Sequence, residues 1–209
     1  PVLMLMDGSR ELDEIDAALQ VRAGVRLAPG LLARLVSDLD QALLLDNAHF
    51  EAARGEAMAA YRQAPYRPLT LDGASFSANP QDAGAQLQAY LDALPPRETQ
   101  AEVRAIRGIV SPHIDYQRGG AVYAQVWRDA AHAAREAELA IILGTDHQGS
   151  PGLLTLTRQN YATPWGSLPT DVEATEALVD AVGEEEAFAE ELHHRTEHSI
   201  CLLYTSPSP

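Results

Sequence analysis

The chain has 209 residues, of which 46% are hydrophobic, and its 30 acidic residues outnumber 15 basic ones, all of them arginine. That length and apolar content support a sizeable core and argue against disorder, while a net charge of −15 disfavours nucleic acid and anionic membrane surfaces. No apolar run reaches the roughly 18 residues of a membrane span, PVLMLM is too short for a signal sequence, and one cysteine cannot form an internal disulfide, so a cytoplasmic protein is expected.

The first 66 residues read as short helices. In ELDEIDAALQVRAG, Leu12, Ile15, Ala18 and Leu19 fall at helical spacing, Asp13 and Glu14 occupy the first turn, and Gly24 is a stop. PGLLARLVSDLDQALLL predicts a second helix with Leu32, Leu35, Leu39 and Leu43 on one stripe. LLLDNAHF reads as a short extended piece, and EAARGEAMAAYRQ as a third helix. The pattern resembles a small PqqD-like winged-helix module. Residues 1–66 hold ten Asp/Glu and six Arg, so a peptide- or protein-binding wing fits better than a DNA-binding one; a packing extension of the next domain is the other reading.

A second domain is expected over 67–200. ANPQDAGAQLQAYLDAL predicts a helix, and LPPRETQAE a polar linker. AIRGIVSPHIDY and LAIILGTDHQG read as buried strands, LLTLT as a third strand, and YATPWGSLPTD as a loop. GGAVYAQVWRDAAHAAREA and VEATEALVDAVGEEEAFAEEL read as helices. Strand, helix, strand is a βαβ rhythm, which predicts an α/β fold with a mostly parallel sheet flanked by helices.

In such sheets ligands bind beyond the carboxyl ends of the strands. His113 and His147 stand there, so the two imidazoles are expected to share a crevice and form half of a metal site. Asp146 could bind the same metal, orient an imidazole or cap the next turn. Asp115 and Tyr116 follow His113, and Tyr116 could donate to a bound oxygen species or substrate. His198, in EHSI, is a candidate base or substrate contact beside Glu197. His193 and His194 read as solvated surface residues, and His49 and His132 as surface or core-edge residues.

Four segments in order carry a family resemblance: PHIDY at 112–116, ILGTDHQ at 142–148, TPWGSLPTD at 163–171 and EHSI at 197–200. They resemble the PHAGY, ILGPSHH, TPLGDLPVD and EHSIE segments of the Memo family, and RPLTLDGASFSANP resembles the usual start of that domain. The helical extension ahead of it is similar to bacterial forms called AmmeMemoRadiSam system protein B. The resemblance implies a fold like that of class III extradiol dioxygenases, with iron or copper held by two strand-end histidines and a distal cysteine. His113 and His147 match those histidines, His198 matches the pocket histidine, and the cysteine falls beyond residue 209. Gln148 replaces the second of the paired histidines, and PHIDY adds an acid, Asp115, near the metal. The implied function is metal-dependent redox or oxygen chemistry on a small molecule, with Asp115 and Glu197 as substrate contacts. A radical-SAM protein and a companion protein are the implied partners. A non-catalytic metal- or peptide-binding module and a metal hydrolase, with water activated between the histidines and Asp146, are the alternatives.

After Ile200 the family's EHSIE continues with Glu and an apolar run, whereas this chain reads CLLYTSPSP. TGT CTC TTA TAC ACA TCT CCG AGC CCA, a common transposase sequencing adapter, encodes that string in one frame. Residues 201–209 are therefore expected to be a non-native tail, and the natural segment to lack cysteine. On this expectation the sheet is interrupted, apolar strands and an open edge are exposed, and the chain folds poorly.

Overall fold

A computed structural model describes residues 2–71, 73–96, 106–150 and 152–205. The chain divides into two compact units, Pro1–Ala57 and Met58–Pro209. This division falls earlier than the 66/67 junction read from sequence, inside the helix Ala48–Gln63.

The first unit holds a 3-10 turn at Leu3–Leu5, then α1 (Leu12–Ala23), α2 (Leu31–Gln41) and the start of α3 (Ala48–Gln63). Glu14 closes the start of α1 by accepting a hydrogen bond from the Glu11 amide at 2.9 Å. Gly24 ends the helix at φ 64°, a left-handed cap. Ile15 and Leu19 on α1 meet Leu32 of α2 and Leu5, which forms a small core. The leucine stripe fades beyond Leu32, and Leu43 is exposed. The extended piece expected at LLLDNAHF is a turn: Asn47 accepts from the Phe50 amide at 3.0 Å and starts α3 in its place. Among the described residues of this unit there is no strand, hence no wing.

The second unit continues with α4 (Pro80–Asp92), α5 (Tyr116–Glu136), a β1–β2 hairpin (Tyr161–Thr163 and Gly166–Leu168), α6 (Val172–Val182), α7 (Glu184–Phe188), a 3-10 turn at Glu191–Arg195 and α8 (Ser199–Thr205). Asn79 caps α4 by accepting from the amides of Gln81 and Asp82. Asp115 and Asp171 do the same for α5 and α6. The helix expected over 172–192 breaks at Gly183, whose φ of 96° excludes helical continuation. Part of the linker read at 94–102 lies outside the described residues.

The mostly parallel sheet is not what forms. Among the described residues the sheet is two antiparallel strands, in register Tyr161 to Leu168, inside the segment read as a loop. The stretches 106–113 and 139–145, read as buried strands, form no ladder among the described residues, and neither does 153–157. A strand exists through its hydrogen-bonded neighbour, and these stretches have none in the described chain. Their apolar side chains divide: Val110 is 95% exposed and Leu143 81%, whereas Ile142 and Leu156 pack against buried clusters. Among the described residues an isolated parallel bridge joins Arg67 to Tyr161.

The core of this unit is aromatic. Phe76, Leu87, Tyr116, Tyr123, Leu202 and Tyr204 pack together with Cys201. The Tyr116 and Tyr123 rings meet edge to face at 5.0 Å. Residues 201–205, read as a tail outside the fold, thus pack as helix: the apolar sequence CLLY suits a core position whatever its origin. Residues 206–209 lie outside the described residues.

Candidate functional site

Three segments bring three imidazoles together. His113 ends the extended stretch before α5, His147 follows the stretch 139–145, and His198 precedes α8. Ring centres lie 5.2 Å apart for His113 and His147, 4.7 Å for His147 and His198, and 6.1 Å for His113 and His198. The convergence expected of His113 and His147 is therefore present even though no sheet carries it. The rings open on a shallow cavity of about 320 Å³, whose wall includes Ser75, Asp115, Arg118 and Leu202.

Close backbone approach makes this possible. Ser199 Oγ donates to the Thr145 carbonyl at 2.8 Å, which ties the start of α8 to the segment carrying His147. A Cβ on Gly144 would stand 2.5 Å from Ile200 Cγ1 and 2.7 Å from Ser199 Oγ, so only glycine lets the two segments touch.

Glu197 organises the cluster. Its carboxylate accepts from the amides of His147 at 3.0 Å, His198 at 2.7 Å and Ser199 at 2.8 Å. It also faces His147 Nδ1 at 3.0 Å. Burial raises the pKa of this carboxyl, but the converging N–H groups outweigh that and hold it at about 2. In a neutral imidazole, that carboxylate favours the proton on Nδ1 and leaves the Nε2 lone pair free.

Part of this cluster fits a metal ion: His147, Glu197 and His198 form a donor group, and His113 falls outside it. A ring nitrogen about 2.0–2.1 Å from a metal puts its ring centre about 3.2 Å away, so two rings at right to tetrahedral angles stand about 4.5–5.2 Å apart. The His147–His198 and His113–His147 spacings fall in that range, and the His113–His198 spacing of 6.1 Å lies outside it. Ligand atoms of His147, Glu197 and His198 also lie within 4.8 Å of one another.

Of the other expected residues, Asp115 lines the cavity and Asp146 and Tyr116 do not. Asp146 turns away from the three histidines: its Oδ2 meets His193 Nδ1 at 2.9 Å, and its Oδ1 accepts from the Gln148 amide. Asp115 is on the cavity wall, but it caps α5 and pairs with Arg118 at 2.5 Å. Tyr116 is fully buried, its hydroxyl donating to the Leu202 carbonyl at 2.7 Å, in the core and not on the cavity wall. His193 and His194 are half-buried and not solvated. His194 lies between the Tyr161 hydroxyl at 2.6 Å and the Thr155 carbonyl at 3.1 Å. His49 and His132 are exposed, as expected.

Sequence reasoning missed Arg67 and Arg118. Arg67 is 1% exposed, and its guanidinium donates to the carbonyls of His194 and Glu197, which shapes the turn that presents Glu197 and His198. The Arg-Pro at 67–68 was visible, but nothing local says that the side chain is buried. Arg118 had a usable signal: it stands three residues after Asp115, on the same helical face.

Among the described residues no helix is long and apolar enough to cross a membrane. No solved structure matches the chain. A MEMO1 family protein of Aquifex aeolicus (strain VF5) is 25% identical over 199 residues, covering 95% of this chain and 51% of the relative. A MEMO1 family protein of Methanopyrus kandleri is 34% identical over 106 residues, 49% of this chain and 36% of the relative. One from Methanosarcina mazei is 30% identical over 95 residues, 46% and 33% respectively. The chain thus spans about half the length, or less, of these curated relatives. The model of the Memo-like protein family matches residues 67–204, which include all three histidines and Glu197. The chain belongs to the Memo family.

Proposed function

We propose that His113, His147 and His198 form a transition-metal centre for iron or copper, and that the whole protein uses it for redox chemistry on a small molecule. The observation that carries this reading is the meeting of three imidazoles from three separate segments around one cavity, one of them set in its tautomer by Glu197. When bound, the metal supplies a one-electron couple and a site for an oxygen ligand.

The chain's own residues do the rest. Glu197, held ionised by three amides, keeps His147 oriented and presents its Nε2. His198, its ring stacked on His147, is placed both to donate to the metal and to move a proton at its edge. The 320 Å³ cavity suits a small molecule better than a folded partner. A hydrolytic arrangement with Asp146 as the acid-base partner has less support, because that carboxylate faces His193.

Metal analysis after anaerobic purification tests the reading. Iron or copper near one equivalent is expected, with oxygen uptake in a full-length relative, and loss of that metal in His113→Ala and His147→Ala. Unchanged metal content in both variants would sink the site. Zinc alone, lost in the same two variants, would favour hydrolysis, and no metal at all a binding role.

A further inference from the structure

A second group of donors lies on the far side of the Asp146–His147 peptide. Asp146 comes from the turn after the stretch 139–145, and Glu190 and His193 come from the 3-10 turn and the residue before it. His193 Nδ1 is 2.9 Å from Asp146 Oδ2 and 3.9 Å from Glu190 Oε2. All three ligand atoms lie within 4.8 Å of one another. Two donors about 2.0–2.1 Å from zinc at a tetrahedral angle stand about 3.3 Å apart, between those two spacings.

The carboxylates are held from behind. Ser150 donates to Glu190 through its amide at 3.0 Å and its hydroxyl at 2.6 Å. Asp146 accepts from the Gln148 amide at 3.0 Å and the Thr155 hydroxyl at 3.2 Å. Such outer bonds orient ligating carboxylates and leave lone pairs for a cation. The three side chains are 18–26% exposed, and two carboxylates converge on one imidazole.

We propose that Asp146, Glu190 and His193 form a second divalent-metal site, best suited to zinc, distinct from the three-histidine centre. It clips the 146–150 turn to the 3-10 turn ahead of Glu197, and so braces the two segments that present His147 and His198. The competing arrangement has no metal: a protonated His193 between two carboxylates.

Zinc alone is the probe, titrated into the 209-residue chain against a competing chelator. A His113→Ala/His198→Ala background removes the first site and is expected to retain one equivalent. Adding Glu190→Gln, which keeps an oxygen for Ser150, or His193→Asn should weaken that equivalent by 100-fold or abolish it. Zinc binding in the background that neither substitution changes overturns the proposal, as does a background that circular dichroism shows to be folded and that takes no zinc. If the background does not fold, Glu190→Gln alone should lower the stoichiometry from two to one, and an unchanged stoichiometry overturns the proposal. Loss with His193→Asn but not with His113→Ala/His198→Ala would remove the three-histidine centre and leave this one standing.

Discussion

Arg67 shows how one buried side chain can set a site it does not line. Its guanidinium donates to two carbonyls, of His194 and Glu197, reaches Thr70 at 3.2 Å, and lies 5.2 Å from the centre of the Tyr161 ring. Among the described residues no carboxylate pairs with it, so backbone dipoles and an aromatic face solvate the charge. Arg67→Met should strip two carbonyls of their donors at about 1–3 kcal/mol each, and a loss of about 2–6 kcal/mol in urea unfolding is expected. Arg67→Lys should recover part of it, because an ammonium lacks the planar fork that serves two acceptors. His194 gives a pH prediction. Burial pushes its pKa below the ordinary 6.5, against the opposing bond to Thr155. The unfolded chain therefore takes the proton more readily, so this contribution is intact above 6.5 and lost as pH falls through the folded value. Urea midpoints at neutral and mildly acid pH should show that fall, and His194→Gln should flatten it. At this scale the three histidines and Glu197 were legible, because polar residues closing apolar runs stand out. Tyr116 and Asp146 misled for the opposite reason: whether a neighbour of a ligand faces the pocket depends on one backbone rotation that sequence does not encode locally.

Among the elements, helices were the legible part. Asn79, Asp115 and Asp171 each accept from amides at the start of a helix, and Gly24 and Gly183 each end one, all by local chemistry. The extended stretches were legible as apolar runs but not as sheet, since pairing depends on residues far along the chain. Gly144 is where an element's contact rests on an absent side chain. Gly144→Ala would put a methyl 2.5 Å from Ile200 Cγ1 and 2.7 Å from Ser199 Oγ. Overpacking of that kind costs about 1–3 kcal/mol. A double-mutant cycle checks the cause: Gly144→Ala with Ile200→Ala should lose less than the sum of the two, because the second change makes room for the first. Strict additivity would mean that the methyl is accommodated elsewhere.

On the scale of the whole molecule, the imbalance lies in what the two extended stretches leave uncovered. Ile109 is 39% exposed, Val110 95%, Ile141 75% and Leu143 81%, on backbone that forms no ladder among the described residues. Unpaired backbone beside exposed branched side chains is a template for strand addition by another chain. The net charge of −15 opposes such association by repulsion over a Debye length of about 10 Å at 0.1 M salt. The chain should therefore stay dispersed at low ionic strength and self-associate as salt rises. Val110→Thr/Leu143→Thr should shift that onset to higher salt in light scattering while leaving the thermal midpoint near the parent value, since both side chains already face solvent. A midpoint lowered by more than a few degrees would mean that these stretches are packed in solution, and the exposed-edge account would fail with it.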